Sequence, residues 1–187
     1  MAAPPIRSGK DAASIAQTCA GLGITAAEFA QLQRRAAAAK ATAYCPYSKF
    51  RVGATLLCGD SPSAGSSSGQ AATAAAADSS SAGQACYVEG ANVENASYPV
   101  GTCAERVAFG TAVVRGHRVF RAVAVATDIT PPASPCGMCR QFIREFCGLE
   151  MPIIMFDKNG DYVVMKLGEL LPMSFGPDQL PPPELLA

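Results

Sequence analysis

Two short stretches of the sequence bring together residue types that can bind a metal ion and move a proton. Cys103 and Glu105 lie two residues apart in "GTCAERVAF", and Cys136 and Cys139 form a C-x-x-C motif in "SPCGMC". At a helix start such a motif directs both sulfurs to one place, where free backbone N–H groups favour thiolate. Zinc prefers thiolates and a tetrahedron of four ligands. With Cys103 as a third ligand, the pattern predicts a zinc site whose fourth position needs an occupant.

The same spacing is also typical of structural zinc sites and of redox pairs. A structural site needs a fourth protein ligand. His117 is the only histidine, but it lies beyond the far end of the helix that Cys103 begins, roughly 20 Å away. Cys45, Cys86 or Cys147 could complete the site, although none has paired spacing. On spacing alone, structural and catalytic zinc are equally favoured.

Glu105 favours the catalytic alternative. Zinc with an open position lowers the pKa of a water molecule towards about 7, and chemistry there needs a nearby proton carrier. Glu105 can be that carrier, although a carboxylate in a first helical turn often only complements the helix dipole. Three thiolates also leave zinc with a net negative charge. Arg106 is the candidate to offset this charge by hydrogen bonding to sulfur, and Arg140 competes for the same role.

The elements that must position these residues alternate between strand and helix. Thr25 and Glu28 form a capping-box pattern, which predicts a helix from Thr25 towards Lys40. The other predicted strands are Val52–Cys58, "CYVEGANV", Val119–Ala126, "MPIIMFD" and the segment after Asn159-Gly160. The other predicted helices are 103–115, "CGMCRQFIREF" and "GELLP". This alternation predicts an α/β layered domain with a sheet of about five strands.

Length and composition predict one domain with loosely held appendages. The 187 residues suit a single domain, expected over residues 25–177. Residues 1–24, rich in Ala, Pro, Ser and Gly, are expected to form a flexible N-terminal arm. Residues 60–85 carry no apolar side chain larger than Ala, which predicts a disordered low-complexity insertion. Residues 178–187 are expected to be a C-terminal tail.

Charge and hydropathy argue against several classes of partner. The 15 basic and 15 acidic residues balance, whereas a nucleic-acid surface needs a basic excess. No apolar run approaches the ~18 residues of a membrane span. The N-terminus has no apolar signal core, so the eight cysteines predict a reduced, cytoplasmic protein. A weak organelle-targeting role of the N-terminus is the alternative.

Several motifs together resemble cytidine deaminase of the compact homotetrameric class. They are "YCPYSKFRVGA", "GANVENASYPVGTCAERVA" and "SPCGMCRQFIREF", and the resemblance covers roughly residues 25–177 apart from the insertion. Zinc nucleobase deaminases carry H-x-E with P-C-x-x-C, and Cys103 stands where the histidine would be. The resemblance implies a three-layer α/β/α fold with a central mixed sheet. It also implies a homotetramer that acts on small nucleosides in pyrimidine salvage.

The resemblance implies a reaction as well. Cytidine and 2′-deoxycytidine would be hydrolysed to uridine and 2′-deoxyuridine, with zinc-activated water attacking C4 and ammonia leaving. Cys103, Cys136 and Cys139 would hold one zinc per subunit, Glu105 would shuttle the protons, and Arg106 would tune the charge.

The resemblance further implies which residues bind the nucleoside. Asn92 and Glu94 would bind the sugar hydroxyls, Phe50 would flank the nucleoside, and the Ala104 backbone would contact the base edge. Three aromatic residues would reach the site of a neighbouring subunit: Tyr47, Tyr98 and Phe175.

Other functions remain as alternatives. The closest is a deaminase of a cytosine-containing antibiotic such as blasticidin S, which the Asn92 and Glu94 pair disfavours. Deoxycytidylate deaminase is disfavoured because that family normally carries His where Cys103 stands. Polynucleotide editing is disfavoured because the chain is neutral. A non-catalytic zinc protein that uses the insertion for interactions is the alternative from another class, and Glu105 argues against it.

Overall fold

The computed structural model describes residues 4–59 and 85–181, so residues 60–84 of the expected insertion and residues 182–187 of the expected tail lie outside it. Five strands are present in the described chain: β1 (Val52–Cys58), β2 (Cys86–Ala91), β3 (Phe120–Thr127), β4 (Pro152–Phe156) and β5 (Tyr162–Lys166). The α-helices there are α1 (Ala12–Leu22), α2 (Ala26–Ala39), α3 (Ala104–Val114), α4 (Gly137–Phe146) and α5 (Leu167–Leu170). No helix among the described residues is long and apolar enough to cross a membrane.

The strands form one mixed sheet in the order β2-β1-β3-β4-β5. Strand β1 is antiparallel to both β2 and β3, β3 is parallel to β4, and β4 is antiparallel to β5. One apolar cluster lies between the sheet and α3, α4 and α5, and the second lies between the sheet and α1 and α2. The expected three-layer α/β/α fold with a central mixed sheet is therefore confirmed.

Strand β3 shows how the sequence builds both layers. Val123 and Val125 belong to the cluster under α3 and α4, whereas Ala122, Ala124 and Ala126 belong to the cluster under α2. Successive side chains of a strand point to opposite faces, so both faces of this central strand are covered. The predicted helix from Thr25 is α2, and both hydrogen bonds of its capping box are present.

The N-terminal segment differs from the expected loose arm. Asp11 caps α1, and the backbone of Arg7 exchanges two 2.8 Å hydrogen bonds with the backbone of Tyr162 in β5. The Arg7 guanidinium donates to the hydroxyl of Thr18, which is 3% exposed and lies 2.8 Å from the Tyr162 hydroxyl. The composition of small residues suggests a loose arm, but contacts with the distant strand β5 hold the segment in place.

Gly90 in β2 lets α3 lie directly on the sheet. A Cβ at this position would lie 2.4 Å from the Ala108 nitrogen and 2.5 Å from the Ala104 carbonyl oxygen, both backbone atoms of α3. We therefore expect Gly90→Ala to lower the free energy of unfolding by ~3 kcal/mol, as overpacking does. Urea unfolding followed by circular dichroism measures this change.

Gly110 provides the matched control for this substitution. It lies within α3, and a Cβ there would have no neighbour within 4 Å. Gly110→Ala should raise the free energy of unfolding by about 0.5–1 kcal/mol, because alanine favours the helix more than glycine does. Equal stabilities of Gly90→Ala and the unmodified protein would contradict the close packing of α3 on β2.

Candidate active site

The structure brings the three predicted metal ligands together. Cys103 is the N-cap of α3 and Cys136 the N-cap of α4, both with extended backbones, and Cys139 lies in the first turn of α4. The Sγ atoms of Cys103 and Cys136 are 3.8 Å apart, and those of Cys136 and Cys139 are 3.5 Å apart. Zn–S bonds of ~2.3 Å in a tetrahedron place sulfurs about 3.8 Å apart, so the donor set fits zinc.

Backbone pairing holds these helix starts in place. The N–H and C=O of Thr102, directly before Cys103, exchange two 2.8 Å hydrogen bonds with the backbone of Val93. Arg140 holds the segment before Cys136, because its guanidinium donates to the Pro135 carbonyl at 2.8 Å and to the Ser134 hydroxyl at 2.9 Å. The positions of Cys103 and Cys136 are thus fixed by the segments that precede α3 and α4.

The electrostatics of the cluster favour thiolate at Cys103. A hydrogen bond from Cys139, assisted by hydrogen bonds from Cys136 and Arg106, lowers the pKa of the Cys103 thiol to about 5. The pKa of Cys139 is raised, since its thiol donates to Cys103 and is buried. Arg106 also donates from Nη2 to the Gly101 carbonyl at 2.8 Å. Of the two candidate arginines, Arg106 therefore lies against the cluster, whereas the hydrogen bonds of Arg140 go to Pro135, Leu170 and Ser134.

Glu105 is buried beside the thiols. Its side chain belongs to the first turn of α3, and the residue is only 3% exposed. Burial raises the pKa of its carboxyl, and the negative charge of Cys103 raises it further. Enzymes raise the pKa of a carboxyl by burial in this way where it has to exchange protons with a substrate. The site therefore combines a metal-binding cluster with a candidate general acid–base.

A cavity of about 420 Å³ opens onto these groups, within the size range of small-molecule sites. Predicted residues that line it are Phe50, Asn92, Glu94, Tyr98, Cys103, Glu105 and Cys136. An adjoining cavity of about 310 Å³ is lined by Tyr47 together with Glu94 and Tyr98. Ala104 is fully buried next to Cys103. Ser48, Thr127 and Ser134 also line the larger cavity, although the sequence does not predict them as site residues. Ser48 and Ser134 lie within the quoted motifs, whereas Thr127 lies in none of them.

Asn92 and Glu94 position the loop that carries Phe50. The Asn92 amide accepts from the Val52 N–H at 2.8 Å and donates to the Phe50 carbonyl at 2.9 Å. The Glu94 carboxylate accepts from the Tyr47 N–H at 2.9 Å, from the Ser48 N–H at 3.2 Å and from the Ser48 hydroxyl. Both side chains thus line the cavity and also fix its wall.

Phe175 does not line either of these cavities. It is 59% exposed, and its carbonyl accepts from the Gln141 side chain of α4 at 2.9 Å. On either side of it, the Arg144 guanidinium of α4 donates to the Ser174 hydroxyl and pairs with Asp178. Helix α4 therefore holds the segment around Phe175 on the surface of the protein.

A mixed β-sheet covered by helices, with thiols converging at two helix starts, is typical of a metal-binding α/β domain. Comparisons with known proteins show to which family this domain belongs. The model of the cytidine and deoxycytidylate deaminase zinc-binding region matches residues 80–155. A cytidine deaminase of Sporosarcina psychrophila is 39% identical over 142 residues, which cover 76% of this chain and 87% of that protein. A cytidine deaminase of Halalkalibacterium halodurans is 36% identical over 77% of this chain and 91% of that protein.

Solved structures agree with the sequence comparisons. The crystal structure of a cytidine deaminase from Burkholderia pseudomallei superposes with a TM-score of 0.64 at 34% identity and covers 78% of this chain and 98% of that one. The chain therefore belongs to the cytidine and deoxycytidylate deaminase family.

Proposed function

We propose that this protein hydrolyses cytidine and 2′-deoxycytidine to uridine and 2′-deoxyuridine, with release of ammonia. The observation that carries the proposal is the buried Glu105 carboxyl, which lines a nucleoside-sized cavity beside three converging cysteine sulfurs. A purely structural zinc site has no use for a buried acid with a raised pKa at its open side. The similarity to proteins named cytidine deaminases supports the choice of substrate.

One zinc ion per subunit would be held by Cys103, Cys136 and Cys139. When bound, zinc supplies the Lewis acidity that makes water nucleophilic near neutral pH. Arg106 would offset part of the negative charge of the three thiolates through its position beside Cys103.

Glu105 would move the protons of the reaction. Its carboxylate accepts a proton from the attacking water and delivers one to N3 of the cytosine ring, which makes C4 electrophilic. The carboxyl group then carries the second water proton to the amino group on C4, and the C4–N bond breaks to release ammonia. Burial raises the pKa of the Glu105 carboxyl, and a raised pKa suits a group that takes up a proton in one step and releases it in the next.

Residues of the cavity wall would hold the nucleoside. Asn92 and Glu94 line the cavity and would bind the sugar hydroxyls, while the Phe50 ring would flank the nucleoside. The Ala104 backbone, at the start of α3 between Cys103 and Glu105, would contact the base edge.

We also propose a homotetramer with shared sites, working in pyrimidine salvage in the cytoplasm. Tyr47, Tyr98 and Phe175 are 48%, 75% and 59% exposed, and the rings of Tyr47 and Tyr98 lie 5.9 Å apart beside the cavity. Exposed aromatic side chains at a site edge suit contact with a neighbouring subunit. Eight free cysteines suit a reducing compartment.

A substrate panel tests the proposed activity. The purified, zinc-loaded protein should convert cytidine and 2′-deoxycytidine to their uridine products and release one ammonia per product, measured by chromatography and an ammonia assay. Blasticidin S and free cytosine serve as comparison substrates in the same assay. Turnover of blasticidin S without turnover of cytidine would replace the proposed substrate, and zinc retention without any turnover would favour a non-catalytic zinc protein.

A further inference from the structure

A second group of metal-binding side chains lies at the other end of α3. Cys58 ends β1 and Cys86 begins β2, and the two residues are direct partners across the antiparallel strands. His117 follows α3, and its Nε2 lies 3.5 Å from the Cys86 Sγ. The possible ligand atoms of all three residues lie within 4.8 Å of one another. The length of α3 separates this group from Cys103 by roughly 20 Å.

The backbone around His117 is fixed by the end of α3. Gly116 adopts a left-handed conformation with φ +91°, and its N–H donates to the Val113 carbonyl at 3.0 Å. The His117 N–H donates to the Ala112 carbonyl at 3.0 Å. These two bonds form a Schellman motif, which places His117 at a defined position just beyond the helix.

The cysteines are fixed by the sheet in a similar way. Cys58 pairs with Phe120 of β3 after a register shift in which Arg121 of β3 is the extra residue. Cys58 is thus paired on both sides, with Phe120 of β3 and with Cys86 of β2. Cys58 is 5% exposed and belongs to the apolar cluster on the α3 side of the sheet, whereas Cys86 is exposed. The donor atoms are thus held by three elements rather than by flexible loops.

From this geometry we propose that Cys58, Cys86 and His117 form a second, exchangeable site for zinc or a similar thiophilic divalent ion. Two thiolates and one imidazole suit zinc and cobalt, and the set has none of the oxygen ligands that calcium or magnesium require. Because Cys86 is exposed, water can reach the remaining coordination position. A site with three protein ligands and a solvent ligand should release its metal more readily than a closed four-ligand site.

A disulfide between Cys58 and Cys86 is the competing state. Both thiols are free in the structure. A disulfide would use only the two strands and would leave the imidazole of the only histidine without a function beside Cys86. The convergence of all three donors therefore favours a metal ion over a covalent bond.

Cobalt titration of the reduced, metal-free full-length protein tests the proposal. The thiolate-to-cobalt absorbance should saturate at two equivalents per subunit in the unmodified protein. It should saturate at one equivalent in His117→Ala and in Cys86→Ser, and at two equivalents in the control Cys45→Ser. Circular dichroism confirms that each variant is folded, and the deamination assay should show unchanged activity for His117→Ala.

Removing the first site separates this proposal from the proposed function. The variant Cys139→Ala should still bind one cobalt ion, and the double variant Cys139→Ala, His117→Ala should bind none. Saturation of Cys139→Ala at zero equivalents, or an unchanged stoichiometry in His117→Ala, would overturn the second site. So would a Cys58–Cys86 disulfide that forms in air as readily in the reduced protein with excess zinc as in the reduced, metal-free protein, detected by mass spectrometry after thiol alkylation.

Discussion

Glu105→Gln should retain zinc and lose at least the ~10²–10⁴-fold in kcat that general acid–base catalysis contributes. Glutamine has nearly the same shape, so it fits the buried site in which Glu105 is 3% exposed. An amide cannot accept the proton of water or deliver one to N3, so the loss should fall on kcat rather than on KM. Steady-state kinetics with cytidine and zinc analysis of the same preparation measure both quantities.

Glu89→Gln is the matched control for this substitution. Glu89 lies in β2 and its carboxylate pairs with Arg35 of α2 at 2.6 Å, on the face of the sheet opposite α3. This variant should keep kcat within about twofold, because solvent-exposed ion pairs contribute little to stability. Activity of Glu105→Gln within about tenfold of the unmodified protein would remove Glu105 from the proton-transfer role.

Cys139→Ala should lose the zinc of the first site and the deaminase activity. Cys139 is fully buried, and its thiol is one of three that converge at the starts of α3 and α4. Two remaining thiolates cannot complete the ligand set of a catalytic zinc site, which uses three protein ligands. We expect the activity to fall below detection and added zinc not to restore it. Inductively coupled plasma analysis of the desalted protein, combined with the cytidine assay, measures the effect.

Cys147→Ala separates metal loss from loss of core packing. Cys147 is also a buried cysteine, at the other end of α4, and burial raises the pKa of its thiol to about 12, so it stays protonated. Both variants remove one buried sulfur, and both should lose some stability. Only Cys139→Ala should lose the zinc of the first site. A similar loss of activity in Cys147→Ala would show that packing around α4, rather than metal binding, limits the reaction.

The sequence predicted the features that depend on local spacing. The capping box of α2 and the C-x-x-C motif of α4 each span only four residues, so the sequence alone reveals them. The three-layer fold with a mixed sheet is implied by the resemblance that the motifs carry together. The convergence of Cys103 with Cys136 and Cys139 is present in the structure, whereas the assigned roles of these residues and of the nucleoside-binding residues remain predictions.

Features that depend on distant contacts could not be read from spacing. The order of residues 4–24 comes from Arg7 and Thr18, whose partner Tyr162 lies far along the chain. From the sequence, Cys86 and His117 are candidates only for the fourth ligand of the first site. Strand pairing places Cys86 beside Cys58, and the end of α3 brings His117 to them. The sequence likewise cannot show whether Arg106 or Arg140 lies against the thiols, because both are close to a cysteine in sequence. The hydrogen bonds of the folded chain distinguish them.

The segment around Phe175 is attached to α4, the helix that also carries part of the cysteine cluster. The first turn of this helix carries Cys139, and the same helix grips the Phe175 segment through Gln141 and Arg144. The segment packs closely against the Arg144 guanidinium, since a Cβ at Gly176 would lie 2.3 Å from the Arg144 Cζ. Helix α4 therefore connects the cysteine cluster at its first turn with the segment that displays Phe175. A rotation of α4 that changed the sulfur positions would also move the surface that carries this aromatic ring.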